Sequence, residues 1–248
     1  MKTKLLSIVL IILFSIPSII ALFKTGFFIT DDGDWMLIRF TAFHQAFVDG
    51  QFPVRFLGRL NHEYGYLVPN FNYPGFMYLA EIPKILGFGF VDAIKIILGF
   101  SMLGSAVFTF LWLSKLFNKF SSTVGALVYL YSPYHIFDLY KRGSVGEVLA
   151  LSIVPFILWQ IERRSLFFTS LSIALLILSH NILATLFIPI IVLYSLLKFR
   201  TPASTIYPLL LGLGLSAFFW IPAIYDLQYT VFLETTVSEW GVILQSLI

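Results

Sequence analysis

The segment Thr30-Asp31-Asp32-Gly33-Asp34 places three carboxylates within four residues, directly after the first long apolar run of the chain. Like charges at that density raise one another's pKa, so the cluster can hold a proton, act as a general base or bind a divalent cation. Asp32 and Asp34 are the candidate catalytic groups. Asp is also a favoured helix N-cap, and a helix beginning near Asp34 needs only one of the three for that purpose.

A second group, Tyr140-Lys141-Arg142-Gly143-Ser144-Val145-Gly146-Glu147, pairs cations with glycines ahead of an apolar run. Lys141 and Arg142 suit a phosphate or diphosphate, Arg through its bidentate fork, and the N-terminus of the following helix favours an anion at the same spot. Ser144 and Glu147 also read as a capping box, with Ser at N-cap and Glu at N3. That reading leaves Lys141 and Arg142 unexplained.

Third is Leu178-Ser179-His180-Asn181, a polar break between two short apolar runs. Its plain reading is a tight turn with Asn181 in a left-handed conformation. A histidine near membrane depth can also serve as ligand, base or phosphate donor. Arg39, a turn beyond Asp34, is placed to pair with it, bind substrate or meet lipid headgroups. The chain has no cysteine, so a metal would have to use His and carboxylate ligands, with Asp32, Asp34 and His180 as candidates. His44, His62 and His135 read as interfacial side chains, and His62-Glu63 lacks the second histidine of a zinc-protease helix.

The elements that carry these groups are set by composition. Of the 248 residues, 58% are hydrophobic, 18% aromatic and 12% charged, about half the charged share of soluble domains. The expectation is an all-α polytopic membrane protein with about seven spans, at 5–23, 93–113, 122–135, 147–161, 165–180, 182–197 and 206–224. With the N-terminus cytoplasmic, the short internal connections hold Lys115 with Lys119, Glu162-Arg163-Arg164, and Lys198 with Arg200, as the positive-inside rule requires. On this threading all thirteen carboxylates but Glu162, and all four histidines, fall on the extracytoplasmic side.

The long loop at 24–92 carries an expected interfacial helix over Asp34 to Asp49, with Trp35, Ile38, Ala42, Phe43 and Ala46 at helical spacing. From Pro53 to Pro74, turn formers and aromatics favour an ordered irregular segment. Basic residues stand in ones and twos at the ends of apolar runs, an orientation signal that excludes a nucleic-acid surface. Residues 1–248 read as a single transmembrane domain; the apolar stretch Trp240 to Ile248 is too short to span, so the chain reads as an N-terminal fragment or as one ending in a short tail.

Asp32-Gly33, Gly50-Gln51-Phe52-Pro53-Val54-Arg55, Gly65-Tyr66, Phe71-Asn72-Tyr73-Pro74, Arg142-Gly143-Ser144 with Gly146-Glu147, and Leu178-Ser179-His180-Asn181 together resemble one pattern. It is that of the bacterial membrane proteins called 6-pyruvoyl-tetrahydropterin synthase-related, a group similar to the GT-C glycosyltransferases. The resemblance covers roughly residues 1–200. It implies a GT-C-like helical bundle in the cell membrane whose extracytoplasmic face transfers a sugar from a polyprenyl-phosphate carrier to a glycan or protein acceptor. In that scheme Asp32 is the base, with Asp34 its competitor. Lys141 and Arg142 hold the lipid phosphate, and Glu147 and His180 orient the donor or a divalent cation. Members of the group often carry a His about four residues after the Asp of Asp-Gly; this chain has Met36 there, a departure that bears on metal binding and on activity. The other readings are a flippase or transporter of lipid-linked substrates, against which no internal repeat is visible, and a non-catalytic assembly subunit.

Overall fold

A computed structural model describes residues 2–199, 201 and 203–230. Arg200 and the stretch Trp240 to Ile248 lie outside them. Among the described residues all regular structure is helical: α1 (Lys2–Ile19), α2 (Gly33–Val48), α3 (Val68–Phe71), α4 (Gly75–Ile85), α5 (Phe90–Leu113), α6 (Lys119–Leu130), α7 (Pro133–Phe137), α8 (Val145–Glu162), α9 (Leu166–Ser179), α10 (Asn181–Lys198), α11 (Ala203–Leu215) and α12 (Ala217–Asp226). A single π-helical turn, Asp138–Arg142, links α7 to α8.

This is the architecture of a helical membrane protein. Among the described residues four helical stretches are long and apolar enough to cross a bilayer, namely Leu5–Phe23, α5, α8 and α10. A fifth is reached if α11 and α12, bent by 68° at their junction, count as one. Two of the seven apolar runs are therefore not continuous helices. The run at 122–135 breaks at Ser132, because Pro133 lacks an N–H and disfavours helical backbone in the residue before it. The run at 206–224 breaks at Ser216, whose hydroxyl donates back to the carbonyls of Gly212 and Leu213. Beyond the bend, α12 packs on α3, and Asn70 and Arg55 of the first loop bond to Asp226 and to the Phe218 carbonyl. At about 21 Å for its 14 residues, α9 is shorter than a bilayer core of roughly 30 Å.

The bundle is built around α8, most of which is buried between α5 and α9. Ile94, Leu98, Met102, Ala106 and Phe110 recur every four residues on α5 and form a fully buried stripe, while Gly104 and Phe108 meet Ser152, Phe156 and Trp159 of α8. Polar residues survive in these helices by bonding to their own backbone. Ser101 donates to Ile97 O and Thr109 to Ser105 O, which satisfies the hydroxyls without water.

In the first loop, α2 starts and ends close to the expected positions, but its buried face is Met36, Phe40 and Phe43. Trp35 and Ile38 point outward, since this helix is apolar on two sides and only one of them packs on the bundle. The helix α4, with Pro83 inside it, was not legible from spacing; it is tied to α2 by His44 Nδ1 and Glu81 Oε2 at 2.8 Å.

Candidate functional site

Two backbone hydrogen bonds bring the acidic and basic segments together. Asp31 N–H donates to Lys141 O at 2.9 Å and Asp32 N–H to Arg142 O at 2.8 Å, and the side chains of Asp31 and Lys141 pair across the same join. The join depends on Thr30, whose side chain sits between two glycines. A Cβ on either Gly33 or Gly143 would lie 2.3 Å from the Thr30 hydroxyl oxygen. Gly143 also has φ +72°, a conformation other residues adopt at a cost.

The capping explanations for the site residues do not hold. Asp32 occupies the N-cap position of α2 but makes no capping bond; the Gly33 N–H is taken by the Thr30 hydroxyl at 2.9 Å. Ser144 is at the N-cap of α8 and likewise makes no capping bond. Glu147 does not reach back to its helix terminus either. One of its oxygens accepts from the Tyr134 phenol, and the other lies 2.7 Å from Arg142 Nη1, an ionic contact without hydrogen-bond alignment, and 3.8 Å from His180 Nε2. Arg142 spans the gap, with its Nε 3.7 Å from Asp32 Oδ2.

His180 is the single non-helical residue between α9 and α10. Its φ of −162° is extended, and Asn181 starts α10 without the expected left-handed turn. His180 Nδ1 accepts the Leu183 N–H at 3.2 Å, so the neutral ring carries its proton on Nε2, toward Glu147. The Tyr73 ring lies over His180 with centroids 4.5 Å apart. Gly146 makes this closeness possible, because a Cβ there would fall 2.2 Å from the Tyr73 ring and 2.4 Å from the Ser179 carbonyl.

These groups form two layers. The outer layer is Asp32 and Arg142, whose side chains are 40% and 41% exposed, and the inner layer is Glu147 and His180, at 3% and 6%. Beside the inner layer lies Asp138, fully buried and close enough to Glu147 for a protonated carboxyl to hydrogen-bond to it. Burial first, and then the Glu147 charge, push Asp138 up to about 8 against the pull of Arg142. The shift favours the protonated form and brings its titration toward neutral pH, where it can give or take a proton.

Asp34 is exposed and makes no ion pair with Arg39 among the described contacts. Arg39 lines an open groove of about 600 Å³ with Tyr64, Tyr66, Phe71 and Asn72, and of the sequence-derived residues it alone faces that groove. Asp32, Arg142 and His180 thus meet in a packed polar cluster rather than around that groove. Among the described residues no three His, Asp or Glu side chains are grouped to hold a metal ion, so Asp32, Asp34 and His180 do not form a ligand set. A cation at Asp32 would draw most of its ligands from water or substrate.

No family model matches the chain, and no curated protein matches it. What the protein does is therefore argued from the site. Three members of that site were not singled out by residue type, although Tyr73 lies in the Phe71-Asn72-Tyr73-Pro74 block. Asp138 stands alone within Ile136-Phe137-Asp138-Leu139-Tyr140, where a charge among apolar neighbours is the clue. Tyr73 and Tyr134 look like two more interfacial aromatics.

Proposed function

We propose that the protein is a membrane transferase of GT-C type, which moves a sugar from a polyprenyl-phosphate donor to a hydroxyl of a glycan or protein acceptor on the extracytoplasmic face. The observation that carries this reading is the outer layer itself: a carboxylate and a guanidinium side by side, both reachable from solvent, on a buried layer that fixes them. Asp32 takes the proton of the acceptor hydroxyl as its oxygen attacks the anomeric carbon. The bond from that carbon to the phosphate oxygen breaks, and the polyprenyl phosphate leaves with its charge offset by Arg142 and Lys141. Glu147, with His180 on its other side, holds Arg142 in place. The GT-C-like motif blocks in the sequence support the same reading, as does the basic character of Lys115, Arg163 and Arg164, which assigns the opposite end of the bundle to the cytoplasm.

The test is release of free polyprenyl phosphate by the protein in nanodiscs supplied with a panel of lipid-linked sugars and acceptors. Asp32→Asn is expected to lower release by about 10²–10⁴-fold while donor binding persists, and Arg142→Ala to weaken binding as well. Asp138 favours a second reading, transport of a lipid-linked substrate coupled to a proton. Under it the sugar–phosphate bond stays whole and the substrate changes leaflet, with Asp138→Asn abolishing the dependence on pH.

A further inference from the structure

A groove of about 510 Å³ opens beside the end of the first span, lined by Leu22, Lys24, Asp92, Lys95, Gly99 and Phe100. Through Phe100 and Leu103 it runs into a second, almost wholly apolar groove of about 770 Å³ that reaches Phe108 and Ser152. From Lys95 to Phe108 the path follows α5 for about 20 Å, somewhat more than one leaflet of a roughly 30 Å hydrocarbon core. Phe100, 70% exposed, forms part of its open wall, so the groove faces whatever surrounds the bundle.

The polar end of this groove is electrostatically incomplete. Lys95 is 6% exposed; its ammonium donates to the Lys24 carbonyl, and among the described residues no carboxylate pairs with it. An ammonium withdrawn from water without a counterion is costly, which leaves a place for an anion. The Lys24 side chain, exposed at the same mouth, is also without an ion-pair partner among the described residues. Asp92 lies at the rim and pairs with neither lysine. Its charge opposes a doubly charged phosphate monoester more than a singly charged diester.

We propose that the groove binds an anionic bilayer phospholipid, with its phosphodiester between Lys24 and Lys95 and one acyl chain along α5 toward Phe108. The site is separate from Asp32 and Arg142 and does not depend on the transferase reading.

The probe is phosphatidylglycerol as a minor component of phosphatidylcholine nanodiscs, with the lipids retained by the protein after gentle delipidation identified by native mass spectrometry. The expected result is about tenfold enrichment of phosphatidylglycerol, on the basis of two lysines near an anionic head. Lys95→Gln should remove the enrichment. Gly99→Leu should also remove it with both lysines in place: a Cβ at Gly99 meets only Leu22 at 3.6 Å, so the new side chain fits into the groove and fills it. If Lys95→Gln does not fold, the exposed Lys24→Gln substitutes for it, with a several-fold loss expected. Equal retention of the two lipids, or enrichment that survives these substitutions, overturns the site. Stronger retention of a polyprenyl monophosphate than of phosphatidylglycerol overturns the phospholipid assignment, and displacement by inorganic phosphate alone overturns the role of the chain. Retention needs no turnover, so failure here leaves the transferase reading untouched.

Discussion

The two ends of α8 carry the same three chemical groups in different company. At its start Glu147 meets Tyr134 and Arg142; at its end Glu162 accepts from the Tyr194 phenol and pairs with Lys198 at 2.8 Å. Both glutamates are buried, and both cations are about 40% exposed. At the Glu162 end the set is small: the Tyr194 phenol also accepts from the Trp112 indole, and beside it the Trp159 indole N–H and the Gln160 side-chain oxygen are buried without partners. At the Glu147 end more ionisable groups gather: His180 and Arg142 both reach Glu147, Asp138 is buried beside it, and Arg142 extends to Asp32. A small buried polar set is sufficient as structure. One that gathers extra ionisable groups and places a carboxylate and a guanidinium at the surface has the makings of a site.

The sharpest way to break this contrast is to make the same change at both ends. Glu147→Gln should lower polyprenyl-phosphate release by about 10²-fold, because Arg142 loses its buried anchor, whereas Glu162→Gln should leave release within about threefold. Equal losses would mean that both sets are structural.

Next in size is a pair of glycine substitutions. Gly146→Ala drives a methyl group into the Ser179 backbone and the Tyr73 ring, and should cost about 1–3 kcal/mol in a detergent melt. Gly125→Ala meets only the tip of Leu113, which can turn aside, and alanine favours the helix, so stability should hold or rise. A tolerated Gly146→Ala would show that α8 can move away from Tyr73 and the Ser179 carbonyl without loss.

The smallest effect expected is on pH dependence. Asp138 binds its proton more tightly folded, near 8, than unfolded, near 3.9. Between those values the folded state holds the extra proton, so Asp138 makes stability fall as pH rises from about 4 to about 8, and adds no further slope above that. Asp138→Asn should flatten this part of the profile of melting midpoint against pH. Glu162→Gln should not, and an unchanged slope in Asp138→Asn would place the titrating group elsewhere.

Much of the site was legible because polar residues between apolar runs stand out. Asp32, Arg142, Glu147 and His180 were all found in this way. Their partners were not, because a Ser-x-x-Glu spacing looks the same whether Glu147 turns back to its own helix or forward to Tyr134 and Arg142. That choice is made by residues remote in sequence. The same holds for Asp32, relieved of capping by Thr30, and for α2, where the apolar pattern allows two faces and only packing selects Met36, Phe40 and Phe43. The bend at Ser216 was hidden because hydropathy measures apolar length and takes no account of direction.

The backbone join between Asp32 and Arg142 also has a consequence for biogenesis. Its two segments lie 110 residues apart, as Asp31 and Lys141 do. At about 5–20 residues per second, a ribosome needs roughly 5–20 s after making the acidic segment to deliver its partner. Throughout that interval Asp31 and Asp32 have left the first span without Lys141 and Arg142, the cations that will offset them. The site is therefore a late product of synthesis, and nascent chains stalled short of Arg142 should insert their first helices normally while lacking the joined surface entirely.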